Sequence, residues 1–177
     1  REFARNAPTS VCIGFQPEKN GLVFFAVLWK NKEKVILKMK FYLLGNGFIS
    51  GKHKEAIKSL GGEIVKKKKE ADCISVLTPN YLHFQQALSL AKTKKIVLVE
   101  KPLAISRHEA EVLSKWENIY TCHQLRYLPF KIEKSDFYRI NIDFRAKRDK
   151  EYFKSWKGDK KKSGGLLFNL AIHYFDL

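Results

Sequence analysis

Hydrophobic positions in this chain change rhythm at Met39. Beyond it, short unbroken apolar runs alternate with helix-spaced ones. Phe41 to Gly45 reads as a buried strand, and Lys52 to Leu60 as a short helix with Ala56, Ile57 and Leu60 inward. Cys73 to Leu77 is a second strand, and Asn80 is placed to cap a helix running to about Ala91. Ile96 to Glu100 is a third strand. Ser106-Arg107-His108-Glu109 has the form of a capping box, opening a helix with Ala110, Val112, Leu113 and Trp116 on its apolar side. Ile119 to Cys122 is a further strand. Strand and helix in this alternation predict βαβ units around a parallel sheet. Glu63 to Val65 fits this scheme badly. Only residues 66 to 72 separate it from Cys73, whereas a parallel crossover takes about a dozen residues or more. Either that piece is not a parallel strand, or a helix and its loops are missing here.

Tyr138 to Arg145 follows another pattern. Tyr138, Ile140, Ile142 and Phe144 alternate with Arg139, Asn141, Asp143 and Arg145, as in an antiparallel strand with one wet face. The expected organisation is therefore α/β: an abbreviated Rossmann-like domain over residues 39 to 127, then the incomplete start of an α+β open-faced sheet domain over 128 to 177. Residues 1 to 38 carry no chemical motif and end just before Met39, the only methionine. They read as an extension preceding a natural start at Met39, or as an ordinary segment whose core strand is Leu22 to Trp29.

Composition narrows the function classes. The chain has 177 residues and is 45% hydrophobic, enough for a packed core rather than general disorder. The apolar run from Leu22 to Trp29 is eight residues long, against about 20 for a spanning helix. Cys12, Cys73 and Cys122 are odd in number and far apart, which favours reduced thiols in a cytoplasmic protein over a disulfide scaffold. A net charge of +16 invites a nucleic-acid reading. However, the lysines cluster at Lys66 to Lys69 and Lys160 to Lys162 without interleaved aromatics to stack bases, and a solvated surface is favoured. No nucleic-acid or membrane partner is expected.

Four stretches carry candidate chemistry. Gly45-Asn46-Gly47-Phe48-Ile49-Ser50 lies between a strand and a helix: Gly45 allows a tight turn, and Gly47 lets backbone approach a pyrophosphate at the helix N-terminus. The third fingerprint position holds Ser50, small but not glycine. The place for an acidic residue on the adenosine ribose holds Lys66 to Lys69; a lysine there could meet a 2′-phosphate, but the short segment favours omission of the normal loop, which leaves the cofactor choice open. Thr78-Pro79-Asn80-Tyr81-Leu82-His83 and Glu100-Lys101-Pro102 each end a strand, where ligands of open parallel sheets bind. From Leu166 to Leu177 the only polar residues are Asn169, His173 and Asp176, spaced to share one helical stripe after Gly164-Gly165. A buried stripe of this kind must be satisfied, for instance by a bond between histidine and Asp176. No further His or Cys is spaced as a partner ligand, so no metal site is expected.

These motifs, in this order and spacing, resemble the Gfo/Idh/MocA oxidoreductase family over about Met39 to Leu177. Gln124-Leu125-Arg126-Tyr127 and Ser155-Trp156-Lys157-Gly158-Asp159 resemble its branch that oxidises a UDP-N-acetylglucosaminuronic acid at the 3-hydroxyl. The resemblance implies a Rossmann domain and an open-faced sheet domain, NAD as cofactor with NADP not excluded, a sugar-nucleotide substrate, and homo-oligomers through the sheet domain. It implies cofactor contacts from Gly45, Asn46, Gly47, Phe48, Ile49, Thr78, Pro79, Asn80, His83, Glu100, Lys101 and Pro102, with a cis peptide before Pro102. It implies substrate contacts from Gln124, Arg126, Tyr127, Ser155, Trp156, Lys157, Asn169 and His173. Catalysis would rest on Lys101, stabilising alkoxide charge, and His173, whose imidazole accepts a hydroxyl proton at neutral pH. Asn169 stands where many relatives carry Asp. Two other readings stand beside this one, a non-catalytic derivative without a working cofactor site and a basic nucleic-acid-binding module.

Overall fold

The computed structural model describes residues 12–13, 27–28, 39–123 and 147–176. Near the N-terminus, β1 (Cys12–Ile13) and β2 (Val27–Leu28) pair antiparallel. The main body begins at β3 (Lys40–Leu44) and continues through α1 (Phe48–Ser59), β4 (Glu63–Ile64), β5 (Cys73–Val76), α2 (Asn80–Ala91), β6 (Ile96–Val99), α3 (Arg107–Leu113) and β7 (Ile119–Thr121). β3 to β7 form one parallel sheet in the order β4-β3-β5-β6-β7. This is the α/β architecture the alternation predicts.

The strands read as continuous apolar runs because helices cover both faces. Ile74, Val76, Val97 and Val99 pack on one face with Ala87 and Leu90 of α2 and Leu113 of α3. Phe41, Cys73, Leu98 and Cys122 pack on the other with Ile57 of α1. Full burial of each of the larger aliphatic chains contributes about 1.5–3 kcal/mol. The helices differ from expectation at their ends. α1 begins four residues before Lys52, at Phe48, and buries Ser50, His53, Ala56 and Ile57, with Leu60 as its C-cap. α3 stops at Leu113, so Trp116 lies beyond it. Ser106 does cap α3, accepting from the Glu109 amide at 3.3 Å, while the Glu109 carboxylate accepts from the Ile105 amide at 3.2 Å.

β4 resolves the misfit around Glu63. It is a parallel strand, but it pairs only with the first two residues of β3, Lys40↔Glu63 and Phe41↔Ile64. β5 starts at the level of Phe41. The link to β5 therefore need not return along a full strand. It has only to cross below β3, about 10 Å over two strand spacings, which residues 65–72 accomplish with one 3₁₀ turn at Lys68–Glu70.

After the undescribed stretch, α4 (Lys150–Lys154) and α5 (Lys160–Ser163) are capped by Asp149 and Asp159, whose carboxylates accept from the Tyr152 and Lys161 amides. The apolar stripe expected as one helix from Leu166 is instead a π turn at Leu167–Ala171 followed by α6 (Ile172–Phe175). Tyr138 to Arg145 lies outside the described residues. No helix among the described residues is long and apolar enough to cross a membrane.

Candidate active site

The C-terminal ends of β3, β5 and β6 form one edge of the sheet, and the chain after α5 folds against it. Gly45 leaves β3 at φ +123°, and a Cβ there would sit 2.7 Å from the Leu77 carbonyl oxygen. Glycine is thus required by the backbone of the neighbouring strand. Gly47 differs: it is the N-cap of α1 with ordinary φ, and a Cβ there would meet nothing within 4 Å. No side chain caps that helix start, and its first turn holds no acid. Asn46, Gly47 and Phe48 are exposed beside it and Ile49 is half-buried. A bare glycine facing open space over uncapped amides fits an anionic group brought close to backbone. Ser50, at the third position, turns inward and donates to the Gly47 carbonyl at 2.7 Å.

The loops after β5 and β6 are stapled together by His83. This ring is fully buried, with Nδ1 2.7 Å from the Pro102 carbonyl and Nε2 2.8 Å from the Thr78 carbonyl. Thr78 Oγ1 donates to Gln86 at 2.6 Å. The Lys101-Pro102 peptide is cis, as the resemblance implies. Asn80 does not cap α2. Pro79 is the N-cap, and the Asn80 Nδ2 donates to the Ser163 carbonyl at 2.8 Å, tying α2 to the end of α5. That bond spends the amide on a long-range partner that local sequence does not reveal.

Lys101 and the C-terminal stripe converge. Lys101 Nζ donates to the Asn169 carbonyl at 2.6 Å, and Asn169 Nδ2 donates to Tyr152 Oη at 2.7 Å. His173 lies one turn further on, with its Nδ1 buried and without a hydrogen-bond partner among the described residues. Burial, then the Lys101 charge and His123, push the His173 pKa down to about 4. Burial also lowers Lys101; Glu100 opposes this, and the charges of Lys157 and Arg148 add to the lowering. Asp176 is 3.6 Å from His123 Nδ1, so the carboxylate expected to pair within the stripe reaches β7's end instead. The π turn at Leu167–Ala171 changes the spacing on which a simple helical pairing depends.

Behind Lys101 sits a buried group that sequence spacing does not announce. Donor atoms of His53, Glu100 and Cys122 lie within 4.8 Å of one another. His53 Nε2 is 2.9 Å from Glu100 Oε1, and the Lys101 amide donates to Glu100 Oε2 at 3.2 Å. Burial works to raise the Glu100 carboxyl, but the His53 bond and the charges of His53 and Lys101 hold it below its usual range. Burial pushes the Cys122 thiol well above its ordinary value. The His53–Glu100 pair and the Lys101 amide bond brace the Lys101 loop.

Ser155, Trp156 and Lys157 reach the same side of the molecule. The Ser155 hydroxyl closes its turn on the Tyr152 carbonyl at 2.7 Å. Trp156 meets Tyr81 edge-on at 6.4 Å, and the Lys157 ammonium stands 5.9 Å from the Trp156 ring. Arg148 stacks over Tyr152 at 5.3 Å. Tyr152 and Arg148 escaped the sequence reading because only the tertiary fold brings α4 to Asn169. Gln124, Arg126 and Tyr127 lie outside the described residues. Lys66 to Lys69 are not at this edge: Lys95, which precedes β6, donates through Nζ to the Lys69 carbonyl at 3.1 Å, and the Asp72 amide bonds the Lys40 carbonyl at the start of β3. The last residue of the run, Lys69, therefore lies at the opposite end of the strands.

Comparison with known proteins agrees with this geometry. Residues 54–118 match a family described as oxidoreductase family, NAD-binding Rossmann fold, and residues 136–177 match its C-terminal alpha/beta domain. A 2,7-anhydro-N-acetylneuraminate hydratase of Escherichia coli is 33% identical over 122 residues, covering 61% of this chain and 32% of that protein. Glucose-6-phosphate 3-dehydrogenase of Bacillus subtilis is 27% identical over 144 residues, covering 68% and 41%. The crystal structure of the WlbA (WbpB) dehydrogenase from Thermus thermophilus, in complex with NAD and UDP-GlcNAcA, is 28% identical with a TM-score of 0.61, covering 78% of this chain and 61% of that one. The chain spans 32% and 41% of the length of the two curated relatives. With both domains matched in chain order and a parallel sheet carrying the glycine turn and the Glu-Lys-Pro loop, this chain belongs to the Gfo/Idh/MocA oxidoreductase family.

Proposed function

We propose that this crevice serves the oxidation of a secondary hydroxyl on a sugar bearing an acidic group, by resemblance the 3-hydroxyl of a UDP-sugar acid, with NAD as cofactor. The observation that carries the reading is the meeting of Lys101 and the Asn169–His173 turn across one cleft. They come from elements far apart in the chain. When bound, the nicotinamide accepts the hydride.

The residues present fit that group. The open space at Gly47 and the uncapped α1 amides suit the pyrophosphate, while Thr78, Pro79 and the Glu100-Lys101-Pro102 loop border the nicotinamide side. Phe48, Ile49 and Asn46 flank the turn. Asn80 and His83 act on the cofactor only indirectly, by fixing the loops through their buried hydrogen bonds. His173 offers a ring nitrogen to take the hydroxyl proton; in the free protein burial and the Lys101 charge hold its pKa at about 4, which leaves the ring neutral but makes it a weak base. Its buried Nδ1, unpartnered among the described residues, costs about 1–3 kcal/mol, which a bound partner recovers. The Lys101 ammonium stabilises negative charge developing on the substrate oxygen. Asn169, its Nδ2 spent on Tyr152, presents Oδ1 as an acceptor that orients a substrate hydroxyl but exchanges no proton. Lys157, Arg148 and Trp156 supply charge and an aromatic face for the acidic sugar nucleotide, joined through the resemblance by Ser155, Gln124, Arg126 and Tyr127. Association of copies through the sheet domain is part of the same reading.

Incubation with NAD and UDP-N-acetylglucosaminuronic acid should give the reduced-cofactor absorbance. Lys101→Met and His173→Asn should each lower turnover by about 100-fold or more while leaving NAD affinity within a few-fold. Full turnover in both variants would refute the assigned roles.

A further inference from the structure

The two ends of a dinucleotide would meet very different walls in this protein. On the side of β5 and β6 the sheet edge is built up by the Thr78 loop, the cis-Pro102 loop and the Asn169–His173 turn. On the side of β4 it is cut away. β3 runs to Leu44, but β4 ends at Ile64, opposite Phe41. Its last residue therefore lies four residues, about 13 Å, below the level of Gly45.

The chain then turns away from the crevice. The Val65 amide still bonds the Phe41 carbonyl, and the Asp72 amide bonds the Lys40 carbonyl. Lys40 N in turn donates to the Asp72 carboxylate at 2.8 Å. Lys66 to Lys69 are exposed on that lower passage, and the Lys95 bond holds it there. A dinucleotide-binding sheet distinguishes its cofactors with a side chain just beyond the second strand: an acid for the ribose 2′-hydroxyl, or a cation for a 2′-phosphate. Here that short strand is followed by a cationic run that leaves β3 beside Phe41 and is held by its last residue, Lys69, at the far end of the sheet.

Resting on the proposed cofactor site, we infer that this protein grips a nicotinamide dinucleotide by its pyrophosphate and nicotinamide half and leaves the adenosine 2′ position unread. NAD and NADP are then bound with nearly equal affinity.

The test is calorimetric titration of the purified chain with NAD and with NADP, at about 0.3 M salt so that the net charge of +16 does not favour the more anionic ligand. The expected ratio of dissociation constants is within about threefold. Substituting Lys66 to Lys69 together by glutamine should leave that ratio unchanged. Preference for either cofactor by about twentyfold or more would overturn the inference while leaving the cofactor site itself intact. Loss of NADP binding alone in the four-lysine variant would do the same. Failure of both dinucleotides to bind would instead overturn the underlying site, and the inference with it.

Discussion

Gly45 and Gly47 sit two residues apart in one turn, yet replacing each by alanine should break different things. Gly45 holds φ +123°, where an L-residue is strained, at a cost of about 1–3 kcal/mol. Its new Cβ would also stand 2.7 Å from the oxygen and 2.8 Å from the carbon of the Leu77 carbonyl. Those are backbone atoms of the segment ending β5, which pairs with β3 through four residues, Cys73 to Val76, and cannot swing aside as a side chain would. Overpacking of this kind adds about 1–3 kcal/mol. Gly45→Ala should therefore lose about 2–6 kcal/mol, a large share of the roughly 5–15 kcal/mol typical of a domain. Gly47→Ala meets nothing within 4 Å and has an ordinary φ, so only the poorer N-cap counts, about 1 kcal/mol or less. Its cost falls on binding, because the methyl group stands where a pyrophosphate must approach the α1 amides, and NAD affinity should drop about tenfold or more. Urea unfolding followed by circular dichroism measures the first effect and calorimetry the second. Equal stability losses in the two variants, or undiminished NAD affinity in Gly47→Ala, would refute the division of labour.

His83→Phe keeps much of the ring volume but removes the one ring N–H that a neutral imidazole donates to either the Pro102 or the Thr78 carbonyl, and should destabilise by about 1–3 kcal/mol in the same unfolding assay. Because the Lys101 charge helps depress His173, Lys101→Met should move the His173 midpoint upward from about 4, though not to its ordinary value since burial remains. A proton NMR titration reads this directly. The depressed His173 also links stability to pH. Its folded value of about 4 lies below the ordinary 6.5, so the unfolded chain binds the proton first. This contribution is fully present above about pH 6.5 and is lost as pH falls from there to 4. Solvent screening at this half-buried ring limits it to about 1–2 kcal/mol. In His173→Asn the slope of unfolding free energy between those pH values should flatten.

Much of the fold was legible locally. β3, β5, β6 and β7 coincide with the apolar runs to within a residue or so, because strands buried on both faces carry few polar interruptions. The capping box at Ser106 was readable because both partners lie within one turn. The glycine turn was visible, but not that its two glycines are needed for different reasons. Helix ends were read less well: the start of α1 at Phe48 carries no side-chain cap for a sequence to advertise.

The sequence by itself determined the order of elements and the presence of a lysine, a histidine and a glycine turn able to serve one chemistry. These depend on hydrophobic period and residue type, which neighbours along the chain record. Only the tertiary structure decided that Asn80 bonds Ser163, that Tyr152 holds Asn169, that Asp176 reaches His123, and that Lys69 is held at the far end of the sheet. Each of those outcomes is a contact between distant elements, fixed by strand register and by the demand that buried polar groups find partners.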